Sequence, residues 1–183
     1  MNTEKQYDMI TDFVTGKKIP EVGAEANRQA VERVLVEQKG YDPSDIVVDM
    51  PVEFAAAGGH YASAVDLVVY SDNRPFMVIK CAAGSLDSRK KEAVSAARIL
   101  FDSVVPLAAA SDGQSALVFD AVTSKRTGQG IDAVPDAQTA LEMIKKSEPF
   151  SLPEERLEKE RIIFRSYDIM NVNVCRGANA GDV

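Results

Sequence analysis

The fold is decided by residues 65–83: Val65-Asp66-Leu67-Val68-Val69-Tyr70, then Ser71-Asp72-Asn73-Arg74-Pro75, then Phe76-Met77-Val78-Ile79-Lys80-Cys81-Ala82-Ala83. Two apolar runs rich in β-branched residues flank a cluster of turn formers, a pattern that predicts a β-hairpin with both strands largely buried. Each run carries one charge, Asp66 at the start of the first and Lys80 near the end of the second. A charge inside a buried strand is costly unless it is paired. Opposite charges on paired strands therefore predict a polar centre in the sheet.

Working outward, residues 23–38 predict a helix, with Ala26, Ala30, Val31, Val34 and Leu35 at helical spacing on one inward face. Glu25 falls in its first turn, where the helix dipole favours a carboxylate. Lys39-Gly40 ends it. Residues 46–54 predict a strand, and residues 55–60 a flexible link into the hairpin. Beyond the hairpin, residues 88–102 predict a helix with Ala93, Ala96, Ala97 and Leu100 inward. Residues 104–110 and 116–122 predict two strands joined by a turn at 111–114. Residues 123–130 read as a polar loop and 135–146 as a helix. Ser151-Leu152-Pro153-Glu154 matches a capping box that opens another helix through about Phe164. Residues 167–174 read as a last strand, 177–183 as a frayed end, and 1–20 as an arm or short strand. The order predicts an α/β sandwich with a mixed central sheet, residues 1–150, followed by a C-terminal helical extension, residues 151–183.

The totals fit that architecture. A chain of 183 residues, 45% hydrophobic and 27% charged, accommodates one packed domain with a small appendage. No apolar run approaches the roughly 20 residues of a membrane span, and the first residues do not read as a signal peptide. The expected location is the cytoplasm. Cys81 and Cys175 are far apart and fit no metal spacing, so a reduced thiol is expected at Cys81. The net charge of −7 argues against an extended nucleic-acid surface while permitting a local basic patch. Lys17, Lys18, Lys90, Lys91, Lys125 and Arg126 are the short basic clusters, and such clusters are usually solvated surface. His60, the one histidine, follows two glycines and reads as a solvated loop residue. Residues 127–130, Thr-Gly-Gln-Gly, match a phosphate loop poorly.

Four pieces carry a resemblance: residues 25–41, 64–70, 75–84 and 110–113. Together, over about residues 12–146, they resemble the N-terminal nuclease domain of the type I restriction enzyme R subunit, within the PD-(D/E)xK superfamily. The resemblance implies a restriction-endonuclease-like α/β/α sandwich in a prokaryotic cytoplasmic protein. It also implies a site in which a helix glutamate, a strand aspartate and a Glu-x-Lys pair surround Mg²⁺. Hard oxygen ligands and a lysine near the attacking water suit that chemistry. Glu25 matches the helix glutamate and Asp66 the strand aspartate. Lys80 stands where the pattern has its second glutamate, Ala82 where it has its lysine, and Ser95 where a glutamine often follows.

Alternation puts positions 80 and 82 on the face toward Asp66. A lysine at a ligand position removes an oxygen donor and adds a positive charge, so Coulomb repulsion compounds the lost bond. Lys80 is expected to bridge Asp66 and Glu25 without a metal. Glu25, Asp66 and Lys80 are the remnant catalytic set, Glu25 and Asp66 the remnant metal ligands, and no cofactor is expected. The favoured reading is a nuclease-like domain that does not cleave and serves in DNA binding or as an accessory protein. One rival is a divergent Mg²⁺-dependent endonuclease that uses Lys80. Another, supported by the acidic charge, is an interaction module with no nucleic-acid role. The partners implied are DNA, restriction-modification subunits or a second copy of the chain, with no membrane.

Overall fold

The computed structural model describes residues 7–56 and 59–175. Strands β1 (Met9–Thr11) and β2 (Lys18–Pro20) precede helix α1 (Glu25–Arg33), which continues through a π-helical turn, Val34–Gln38. Then come β3 (Ile46–Ala56), β4 (Gly59–Ser71), β5 (Arg74–Cys81), α2 (Lys90–Ile99), β6 (Leu107–Ser111), β7 (Ala116–Asp120), β8 (Arg126–Gln129), α3 (Ala137–Lys146) and α4 (Glu154–Cys175).

The hairpin in the central stretch forms from β4 and β5, with Ser71 opposite Arg74. Asp72 and Asn73 between them have φ of 52° and 57°. Left-handed backbone at both central positions gives the turn whose twist matches paired strands, and Asp and Asn tolerate it better than most side chains.

The main sheet runs β3-β4-β5-β6-β7-β8. Its neighbours are antiparallel except for β5 and β6, whose parallel pairing requires the crossover that carries α2. Alternation along β4 and β5 divides the core. Leu67, Val69, Met77 and Ile79 pack with Val31 and Leu35 of the first helix and with Ala140 and Ile144 of α3. Val68 and Val78 pack with Ala93 and Ala97 of α2 and with Phe164 of α4. The result is the expected α/β sandwich, a mixed sheet with helices on both faces and a helix at the C-terminal end. Among the described residues, no helix is long and apolar enough to cross a membrane.

Several local expectations are corrected. The link at residues 55–60 is largely strand: β3 and β4 stay paired as far as Ala56 opposite Gly59, and residues 57 and 58 lie outside the described residues. The polar loop at 123–130 contains β8, which pairs with β7. An edge strand exposed along Arg126, Thr127 and Gln129 needs no apolar alternation, so its sequence resembles a loop. Residues 167–174 are helical, part of α4. Their period-two look misleads, because Phe164 and Asp168 are the buried residues and lie one helical turn apart. Residues 177–183 lie outside the described residues.

The inward face of α1 is also rotated. Ala26 is exposed, while Arg28, Gln29 and Glu32 are buried. The reason is the arm, which folds into the β1–β2 hairpin and covers that side of the helix. Gln29 accepts from the Phe13 N–H (2.7 Å), and Glu32 accepts from the Val14 N–H (3.2 Å). The Arg33 guanidinium lies 4.5 Å from the centre of the Phe13 ring.

Candidate functional site

Lys80 lies on the sheet face that α2 covers. Leu67 pairs with Ile79, so Asp66 and Lys80 follow as the next residues along their strands. The Lys80 Nζ is 3.1 Å from Asp66 Oδ1 and 3.0 Å from Glu92 Oε1 on α2. The three side chains are unequally covered, Asp66 being 20% exposed and Glu92 only 1%. Burial alone would lower the Lys80 pKa, but the charges of Asp66, Glu92 and Asp168 outweigh it and hold the ammonium above its ordinary range. Asp66 Oδ2 accepts from the Cys81 N–H at 2.6 Å, and Glu92 Oε2 lies 3.2 Å from Arg89 Nη1. The sheet's polar centre is therefore two carboxylates closed around one ammonium.

Glu25 lines the same cleft as Asp66 and Lys80. Its bonding partners differ from those expected. Arg28 holds it at 2.6 Å and the Gln29 amide donates to it at 2.9 Å, while Lys80 bridges Asp66 to Glu92. The same guanidinium of Arg28 reaches Asp12 and Glu32, each at 3.1 Å. Burial would lower the Arg28 pKa, but its bond to Glu25 and the charges of Asp49, Glu25 and Glu32 raise it.

Ala82 is fully buried and does not line the cleft. Its N–H donates to the Ser111 carbonyl (2.9 Å) and its own carbonyl accepts from the Asn27 side chain (2.5 Å). Ser95 is turned away as well, its hydroxyl donating to Glu160 on α4 at 2.8 Å. His60 is exposed in the β3–β4 hairpin, 3.5 Å from Glu53. Cys81 is a free, buried thiol, and burial pushes its pKa well up, which removes it as a nucleophile. The side chain of Cys175 lies outside the described residues.

The structure adds residues that sequence reasoning missed. Glu92, Asp49 and Asp168 bring further carboxylates to the cleft, and Arg89 brings another cation. Glu92 had a usable signal, since it stands four residues before Ala96 and so extends the inward stripe of α2 by one turn. Asp49 sits within β3 with φ 51°, a left-handed residue in a strand. Asp168 had no signal while its segment was read as a strand. In all, Glu25, Asp49, Asp66, Glu92 and Asp168 face Arg28, Lys80 and Arg89, so acids outnumber bases. Among the described residues, no group of three or more His, Cys, Asp or Glu side chains is arranged to hold a metal ion.

The family model described as type I restriction enzyme R protein N terminus matches residues 23–135. The matched span is narrower at both ends than the expected 12–146. It carries Glu25, Asp66, Lys80 and Glu92 and the whole main sheet, and it leaves out the β1–β2 hairpin, α3 and α4. No curated protein and no solved structure matches the chain. A match over more than half of the residues, covering every strand of the main sheet, shows that the chain belongs to the family of type I restriction enzyme R protein N-terminal domains.

Proposed function

We propose that this chain is a nuclease-like domain of the PD-(D/E)xK type that does not cleave, and that it serves as an accessory module in a restriction-modification setting. In this reading, residues 1–150 form the nuclease-like unit and residues 151–183 a helical extension. The observation that carries the proposal is the Lys80 Nζ between Asp66 and Glu92, at 3.1 and 3.0 Å. A divalent cation gains from each free carboxylate oxygen. Here the carboxylates already accept from Lys80, Arg89, Arg28, Gln29 and the Cys81 amide. These residues do not fit a metal ion, and the buried ammonium supplies internally the positive charge that a metal would bring. The surplus of acids in the cleft weighs toward a protein partner over a phosphodiester backbone.

A second reading is favoured by Glu92. An aspartate, a lysine and a glutamate meet in one cleft, the residue types of the family's motif in exchanged positions. On that reading the chain is a rearranged Mg²⁺-dependent endonuclease with Lys80 as its lysine. One experiment decides between the two: calorimetric titration with Mg²⁺ and Mn²⁺, run beside a plasmid-nicking assay. The expected outcome is no saturable metal binding and no nicking. Nicking by the wild type that disappears in both Asp66→Ala and Glu92→Gln would replace the accessory reading with the enzymatic one.

A further inference from the structure

A second cavity lies at the other end of β5 from Lys80, where the strand begins at Arg74. Its volume is about 310 Å³, against about 110 Å³ for the cleft of the candidate site, and the two share no lining residue among those described. That volume falls at the lower end of the range for small-molecule pockets, about 300–1,000 Å³. Three segments frame it: the start of β5, the loop from α2 to β6, and residues 147–149 after α3. The last of these lies outside the span that matches the family, so the family's core supplies only part of the cavity.

The walls are held in place. The Val104 N–H donates to the Phe150 carbonyl at 2.7 Å and ties two of the framing segments together, and the Val105 N–H donates to the Ala97 carbonyl of α2 at 2.8 Å. The Phe101 ring is edge-on to that of Tyr70, with centroids 6.3 Å apart. Phe101, Val104, Val105 and three prolines, Pro75, Pro106 and Pro149, make the wall mostly apolar. The prolines also fix the backbone locally.

Charges of both signs border this apolar space. Arg74 Nη1 donates at 3.0 Å to the Ile144 carbonyl near the end of α3, which also accepts from Ser147 Oγ at 3.0 Å. Its Nε and Nη2 have no acceptor among the described residues. That edge of the guanidinium is the planar fork that a carboxylate takes in two parallel hydrogen bonds. Asp102 and Glu148 bring exposed carboxylates to the rim. Both are too far from Arg74 to pair with it, and neither forms an ion pair with another described residue.

We propose that this cavity binds a free α-amino acid with a large apolar side chain. Arg74 receives the carboxylate, Asp102 and Glu148 hold the ammonium, and the side chain is buried against Phe101 and the prolines. A ligand of one sign does not meet all three features. An anion would face the two acids, and a cation would leave the guanidinium edge unanswered. An apolar body fixed by a few convergent polar groups is the usual make-up of a small-molecule site, and walls already in place lower the cost of ordering on binding. The site is separate from the Lys80 cluster and does not depend on whether the chain cleaves.

The test is a titration of the isotope-labelled full chain with L-phenylalanine, followed by amide NMR shifts. The expected result is saturable shifts concentrated at residues 101–105 and 147–150, with a Kd of about 1 mM or tighter. Phenylalaninamide lacks the carboxylate and N-acetylphenylalanine lacks the ammonium, and each binds about tenfold more weakly or worse, the loss expected for a charged hydrogen-bonding group. Arg74→Gln weakens L-phenylalanine to the same degree. Because Arg74 also supports the end of α3, the double variant Asp102→Asn with Glu148→Gln, both at exposed positions, checks the ammonium half without touching a bond of the fold. No saturable shift at those residues up to about 10 mM ligand, or shifts centred on the Lys80 cleft, would overturn the site. Equal affinity for the three ligands, or undiminished binding by the double variant, would overturn the amino acid as its occupant.

Discussion

Lys80 is 6% exposed at its side chain, with carboxylates at 3.1 and 3.0 Å. A buried ion pair adds little net stability over apolar packing, but removing one partner leaves the other charge stranded at a cost of about 3–5 kcal/mol. Lys80→Met, which keeps the aliphatic bulk and removes the ammonium, leaves Asp66 and Glu92 facing each other without a counterion. The expected loss is about 3–5 kcal/mol in urea unfolding near neutral pH. A loss under about 1 kcal/mol would show that the bridge is not what organises this centre. The pH dependence follows from the raised Lys80 pKa. The wild-type bridge is fully present below the ordinary lysine range and is lost only as pH rises through the raised folded value, so it is constant around neutrality. At this scale Asp66 and Lys80 were legible, because a charge in an apolar run demands a partner. Glu92 carried a weaker signal, its place one turn before Ala96 on the inward stripe of α2, which Lys90 and Lys91 before it obscure by making the helix start look solvated.

Elements behave by what covers them. The first helix carries its apolar stripe as expected at Val31, Val34 and Leu35, yet its buried Arg28, Gln29 and Glu32 follow no apolar periodicity. They are inward because the β1–β2 hairpin lies over them, and a covering made of backbone amides and Asp12 selects polar residues. Sequence periodicity registers apolar burial alone, so this face was not legible. Its energetics are unusual. Burial, and then the neighbouring charge of Asp12, push the Glu32 pKa from 4.5 to about 7, against the opposing pull of Arg28. A carboxyl whose folded pKa is raised binds its proton more tightly in the folded state. It therefore favours folding increasingly as pH falls from about 7 toward 4.5 and loses that contribution as pH rises again. Asp12 behaves oppositely. Burial would raise its pKa, but bonds from Thr15 and Gln29 and the charge of Arg28 lower it below 3.8, so its contribution is lost only in stronger acid. The two windows are separate. The difference in unfolding free energy between wild type and Glu32→Gln should shift toward the wild type as pH falls across the Glu32 window. Parallel curves for the two proteins would remove Glu32 as the titrating group.

For the whole molecule, the hydrophobic pattern was enough to place an α/β sandwich with a mixed sheet, because β5, β6, β7 and the second half of β4 are buried strands with few polar interruptions, while helices on both faces were implied by the family resemblance. It failed at the margins, at β8 and the second half of α4, where exposure removes the pattern. The same distinction applies to charge. The total of −7 was plain from the sequence, but its distribution required the fold. The basic clusters do not converge on the cleft. Lys17 and Lys18 belong to the β1–β2 hairpin, and Lys125 and Arg126 lie at β8, the opposite edge of the main sheet from β3. Lys90 and Lys91 stand over the rings of Phe119 and Tyr167, at 5.3 and 5.4 Å. The cleft itself has five carboxylates against three cations. Nucleic-acid affinity without base contacts comes from neutralised phosphates and appears as a steep fall with salt. With its cations scattered and its cleft acidic, this chain should give no gel shift with duplex DNA even at about 50 mM salt, where phosphate contacts are strongest. A shift that weakens steeply with added salt, and that Arg89→Ala or Lys91→Ala reduces, would reinstate DNA as the partner and place its path along α2.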